Sequence, residues 1–136
     1  MVGMKKLTQT QAIDLTLLLL RIAAAVIFIQ VGGLKLFGWF GGMPAGVTIT
    51  PLITVAGWLE VVGGLAILLG LFTRPVAFIL SGEMAVAYFI GHFPQAFWPI
   101  ENHGESAVLF CFIFLFMSAY GAGRWSVDGW RKRTVV

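Results

Sequence analysis

Charged residues are scarce in this chain. They make up 11% of its 136 residues, against about 25% in an average water-soluble domain. So little charge cannot cover a water-facing surface when 59% of the residues are hydrophobic and mean hydropathy is +0.92. Cysteine is nearly absent as well. Cys111 stands alone inside an apolar run, which excludes an internal disulfide or a CxxC redox pair and leaves compartment unreadable from thiols. No flavin, haem or iron–sulfur motif is present, and no motif for recognising DNA or RNA. The net charge of +3 therefore reports Lys and Arg flanking apolar segments, not a nucleic-acid partner. What remains is an integral membrane protein with almost no soluble mass.

Four apolar runs are present. They cover roughly 13–37, 51–71, 75–91 and 104–120, and a glycine-punctuated basic tail follows at 121–136. Each run is long enough for about 30 Å of hydrocarbon, the third only just. Continuous apolar runs predict helices, since a membrane barrel would need many short alternating strands. The expected fold is a single all-α membrane domain, 1–136, built as an up-down bundle of four transmembrane helices. Thr73-Arg74-Pro75 reads as a tight turn, with the proline in the first turn of the next helix. Lys5 and Lys6 precede an apolar run, and Ala23-Ala24-Ala25 imitates a cleavage site. However, Arg21 interrupts the run, which continues to Phe37, so an uncleaved first span is expected rather than a signal peptide.

Four spans put both ends of the chain and the Arg74 turn on one side. That side holds Lys5, Lys6, Arg74, Arg124, Arg131, Lys132 and Arg133; the other holds Lys35. The asymmetry predicts both termini in the cytoplasm of a bacterial or archaeal plasma membrane, with Trp39 and Trp98 at the outer interface and Trp125 and Trp130 at the inner one. The Arg131-Lys132-Arg133 run reads as a topology signal touching anionic lipid.

The ionisable residues inside the spans are the candidates for chemistry, because a charge facing lipid is costly. Asp14, Arg21, Ala25, Phe28, Gly32 and Lys35 recur at helical spacing on one stripe of the first span. Gly57, Glu60 and Gly64 share a face of the second, where the glycines admit a close neighbour. Measured from the expected helix ends, Arg21 and Glu83 lie about 12 Å deep and Glu60 about 16 Å. An Arg21–Glu60–Glu83 cluster is the expectation, with the arginine bonded between two carboxylates. Its structural alternative is an ion-pair network that only fixes helix register. A second group, His92, Glu101, Asn102, His103 and Glu105, crowds the third loop, with Lys35 reaching the same side. Its spacing matches no zinc pattern, so no metal is expected. It also reads as a solvated loop with Glu105 at a helix N-terminus. Cys111 reads as small apolar filler, and the phenylalanines as packing or lipid-facing residues first.

Four motifs in order carry a resemblance. They are Leu20-Arg21-Ile22 leading to Gly33-Leu34-Lys35-Leu36; Glu60-Val61-Val62-Gly63-Gly64 through Thr73-Arg74-Pro75; Glu101-Asn102-His103-Gly104-Glu105; and Gly121-Ala122-Gly123-Arg124-Trp125-Ser126-Val127-Asp128. Together they resemble the DoxX family across nearly the whole chain. Arg21, Lys35, Glu60, Arg74, Glu105 and Asp128 fit the family pattern. His103 stands where glycine is commoner, and the single cysteine separates this chain from thiol-oxidising relatives with cysteine pairs. The resemblance implies a small four-helix protein of the bacterial or archaeal inner membrane, similar to the small subunit of thiosulfate:quinone oxidoreductase. It further implies a component of a quinone-linked redox or oxidative-stress system. The quinone, bound non-covalently, would enter from lipid between helices. Arg21, Glu60 and Glu83 would form a polar pocket or proton relay, and Lys35, His92, His103 and Glu105 the outer mouth. With no redox centre of its own, the chain would take electrons from a soluble or membrane oxidoreductase partner. Two alternatives stand beside this reading: a small transport or permeability protein, which with four helices would act as a homo-oligomer, and a structural or assembly subunit without chemistry.

Overall fold

The computed structural model describes residues 7–135. It is all-helical over these residues. Helix α1 spans Gln9–Phe37, α2 Pro51–Leu69, α3 Thr73–Ala87, α4 Pro99–Asn102, α5 Glu105–Tyr120 and α6 Val127–Thr134. A π-helical turn, Tyr88–His92, prolongs α3. Three helices are long and apolar enough to cross a membrane: Gln9–Phe37, Pro51–Leu69 and Thr73–His92. The fourth apolar helix, α5, has 16 residues, about 24 Å at 1.5 Å per residue. It is therefore the short span, where the sequence had pointed to the third. The π turn lengthens the third span beyond its expected end. The short helix α4 and the aromatic loop before it stand at the start of the fourth.

Local sequence explains the boundaries. Thr8 and Gln11 form a reciprocal capping box at the start of α1. Thr50 caps α2 ahead of Pro51, whose missing N–H is no loss in a first turn. Gly70 ends α2 in the left-handed region, at φ +65°. Helix α3 lacks a local cap. Its first amides, those of Phe72 and Thr73, donate to the two carboxylate oxygens of Asp128, 55 residues or more downstream.

Helix α1 packs most extensively on α2, and α3 on α5, while α2 and α3 share a thinner seam. Phe28 of α1 closes the bundle by setting its ring edge-on against Phe110 and Phe114 of α5, at centroid distances of 5.0 and 4.6 Å. The core is small and continuous: Leu17, Ala24, Ala25, Phe28, Ile67, Ala77, Leu80, Met84, Ala107, Phe114 and Met117 are buried. Leucines, valines and phenylalanines of the four long helices cover the outside. This inside-out economy fits a chain whose solvent is lipid.

The α1–α2 pair fixes the register of the charged residues. A Cβ on Gly32 would lie 2.7 Å from the carbonyl oxygen of Gly57 and 2.9 Å from the amide of Val61, so the two backbones touch there. One on Gly64 would meet the carbonyl of Ala25 and the amide of Ile29. Glu60 is thus level with Gly32. The first turns of α1 project past the end of α2, where Asp14 accepts from the Arg124 amide and Leu17 packs near Gly123.

Candidate functional site

The ionisable residues of the spans divide into two sites rather than one cluster. Arg21 is 1% exposed and touches neither Glu60 nor Glu83. Its Nε donates to the carbonyl of Ile67 at 3.0 Å, and Nη2 to that of Leu68 at 2.8 Å. Nη1 donates to the carbonyls of Ala122 and Trp125, both at 2.9 Å. The guanidinium therefore sits on the negative end of α2, where helix carbonyls lack intrahelical partners. It ties that end to the segment between α5 and α6. Asp128 is the acid whose field reaches it. The expected Arg21–Glu60–Glu83 cluster fails because α1 overhangs α2. Eleven residues of α1 separate Arg21 from Gly32, the level of Glu60, which is about 16 Å along the axis.

Glu60 has another partner. It is 2% exposed, and its Oε1 accepts a short, charge-assisted hydrogen bond from Lys35 Nζ. This is the one salt bridge among the described residues. Lys35 stands near the end of α1, and its stem reaches back toward mid-membrane past Gly57. A Cβ on Gly57 would press on Leu36 and Lys35. Lys35 was expected at the outer mouth; it is half-buried and bound to Glu60 instead. Glu83, one helix over, is half-buried and stands within Coulombic range of both Glu60 and Lys35. Glu60 Oε2 and both oxygens of Glu83 are buried without a hydrogen-bond partner. One ammonium and two carboxylates thus influence one another between α1, α2 and α3, with only Lys35 and Glu60 bonded and three acceptor oxygens unused. In an apolar interior such oxygens are costly to leave unmatched.

A groove of about 410 Å³ runs along the α2–α3 seam between Trp58, Leu59, Val62, Gly63, Ile79 and Leu80. It opens to the lipid side. Leu59 and Gly63 flank Glu60 on α2 and Leu80 precedes Glu83 by about one turn on α3, while Lys35, Glu60 and Glu83 themselves lie outside the lining.

The loop residues do not gather into a mouth around Lys35. His92 Nδ1 is 3.0 Å from the carbonyl oxygen of Asn102, and its ring stacks on Tyr88. His103 is exposed and holds a left-handed backbone, φ +58°. Glu105 lies in the first turn of α5 without an ion pair among the described residues. Nor do three His, Cys, Asp or Glu side chains converge in a metal-holding group there. The organiser of this loop is Asn102, which the sequence placed in this group without showing its role. It is fully buried, donates to the carbonyl of Ala96 and the hydroxyl of Tyr88, and accepts from the Gly104 amide. Ser81 was also missed; its hydroxyl donates to the carbonyl of Cys111 and binds α3 to α5.

No solved structure matches this chain. It is 43% identical over 114 residues to an uncharacterized protein of Haemophilus influenzae, an alignment covering 80% of this chain and 85% of that one. The DoxX family model matches residues 16–93, which include Arg21, Lys35, Glu60, Arg74 and Glu83. With more than half its length matched, this multi-pass membrane protein belongs to the DoxX family.

Proposed function

We propose that this protein is a quinone-linked component of a membrane redox system, and that the Lys35–Glu60–Glu83 triad is its polar site. The observation that carries this reading is the set of three buried carboxylate oxygens without partners, beside one ammonium, on helices whose shared α2–α3 seam carries an apolar groove. A quinone supplies two-electron, two-proton redox chemistry when bound. Lys35 Nζ suits a carbonyl oxygen, and the unused oxygens of Glu60 and Glu83 suit a hydroxyl. The head would be oriented by these contacts while its tail stayed among apolar side chains. Glu83 and Glu60 also have the acceptor capacity to hold a proton at a carboxylate oxygen, which water would otherwise compete for. Arg21 leaves this role, because its donors are taken by main-chain carbonyls. Both termini would lie on the cytoplasmic side, and a protein partner would deliver electrons.

The test uses the purified protein in nanodiscs and a short-tailed ubiquinone analogue, read by quenching of tryptophan fluorescence, since Trp58 lines the groove. Losing a hydrogen bond to a charged group is worth about 1.5–3 kcal/mol. Glu60→Gln and Glu83→Gln are therefore each expected to weaken quenching about tenfold or more. Unchanged quenching in both variants, at unchanged melting temperature, would remove the triad from the function.

A further inference from the structure

A second cavity, of about 560 Å³, lies at the end of the bundle where α1 begins and α6 packs. Phe72, Thr73 and Arg74 at the start of α3, Gly121 after α5, and Asp128, Arg131 and Lys132 of α6 line it. Three cations therefore face one acid. That acid is already occupied, since both its oxygens accept amides from Phe72 and Thr73. None of the three cations has a carboxylate partner among the described residues. The excess of positive charge is uncompensated where the apolar spans end, which is the depth of lipid headgroups.

The donors are also poised. Arg74 gives two bonds to the carbonyls of Ala119 and Tyr120, which orients its guanidinium and leaves further N–H groups free to donate. The Arg131 guanidinium lies over the Phe72 ring, 5.3 Å from its centroid. This contact fixes its plane and leaves its edge open. Phe72 in the lining is an exposed apolar surface suited to the boundary of the acyl chains.

We infer that this cavity holds the phosphate-bearing headgroup of an anionic phospholipid, with α6 lying in the membrane interface as one wall of the site. The inference is independent of the quinone reading, which concerns residues in the spans.

The experiment titrates the detergent-purified full chain with dihexanoyl-phosphatidylglycerol, dihexanoyl-phosphatidylcholine or inorganic phosphate, and reads tryptophan emission and melting temperature. The anionic lipid should shift both at concentrations about tenfold below the zwitterionic one, and phosphate should neither bind nor compete. Arg131→Gln removes a charge inside the cavity. Arg133→Gln removes the same charge from the same helix outside it. One basic side chain near an anionic headgroup is worth about fivefold in affinity. The first variant should lose that factor, and the second less than twofold. Equal losses would mean a diffuse field without a site, and phosphate binding as tightly as the lipid would mean a soluble ligand; either result overturns the inference. Both positions are exposed, so neither change threatens folding.

Discussion

Arg21 donates to four main-chain oxygens from two segments of the chain, and lysine cannot imitate that. A lysine has the charge, but its three donors radiate from one nitrogen, whereas the guanidinium fork spreads five across a plane. Arg21→Lys should therefore lower stability by about 2 kcal/mol, and Arg21→Met by about 3 kcal/mol or more, because buried carbonyls are left unmatched. Thermal unfolding in detergent should give this order; equal stability of Arg21→Lys and the parent would refute the multidentate role. The Lys35–Glu60 pair makes a different prediction. Lys35→Met strands a buried carboxylate, a loss of about 3 kcal/mol, whereas Lys35→Met combined with Glu60→Gln removes both charges and should regain most of it. A purely additive double variant would contradict the pairing. At this scale the sequence was half legible. That Arg21, Glu60 and Glu83 were too costly to face lipid followed from their residue types. Their partners did not, because a carbonyl acceptor belongs to every residue and leaves no mark in a sequence. The long reach of Lys35 back along its helix was equally hidden.

Between elements, the decisive contact is the backbone approach of α1 and α2 at Gly32. Any side chain there would strike the Gly57 carbonyl and the Val61 amide, and backbone cannot swing aside. Gly32→Ala should cost about 1–3 kcal/mol by overpacking and move Lys35 away from Glu60, visible as a lower melting temperature together with weakened quinone quenching. The same substitution at Gly82, where a Cβ meets nothing within 4 Å, should leave quenching unchanged and hold or raise the melting temperature, since alanine favours a helix over glycine by about 1 kcal/mol; a loss of equal size there would show that the effect at Gly32 does not come from the interface. Glycine spacing on α2 showed in the sequence that a neighbour comes close. The overhang of α1 did not, since the apolar pattern begins at Ile13 while the capping box starts the helix at Gln9. Helix α6 was hidden for a related reason. Its Ser126 cap sits among glycines and cations that read as a loose tail, and its anchor, Asp128, acts on amides more than fifty positions away.

For the molecule as a whole, charge separates sharply between the two ends. The end where α1 begins carries Arg74, Arg124, Arg131, Lys132 and Arg133, beside the acids Asp14 and Asp128. Lys5 and Lys6, which the sequence places with them, lie outside the described residues. The opposite end has Glu101 and Glu105, and its one lysine is withdrawn into the bundle by Glu60. That withdrawal sharpens the asymmetry beyond what counting residues suggested, because no exposed cation remains among the described residues of the opposite end. Basic loops resist translocation, so the termini should face the cytoplasm. Cys111 is the single cysteine and lies against Ser81; replacing it with alanine gives a background for mapping. On that background, a cysteine at Thr134 should react in intact cells only with a membrane-permeant maleimide. One at Gln95, exposed in the loop before α4, should react with an impermeant reagent as well. The reverse pattern would invert the protein in its membrane and turn the basic cavity to the outer leaflet. The triad would keep its place in the spans under either orientation, since α1, α2 and α3 hold it from three sides.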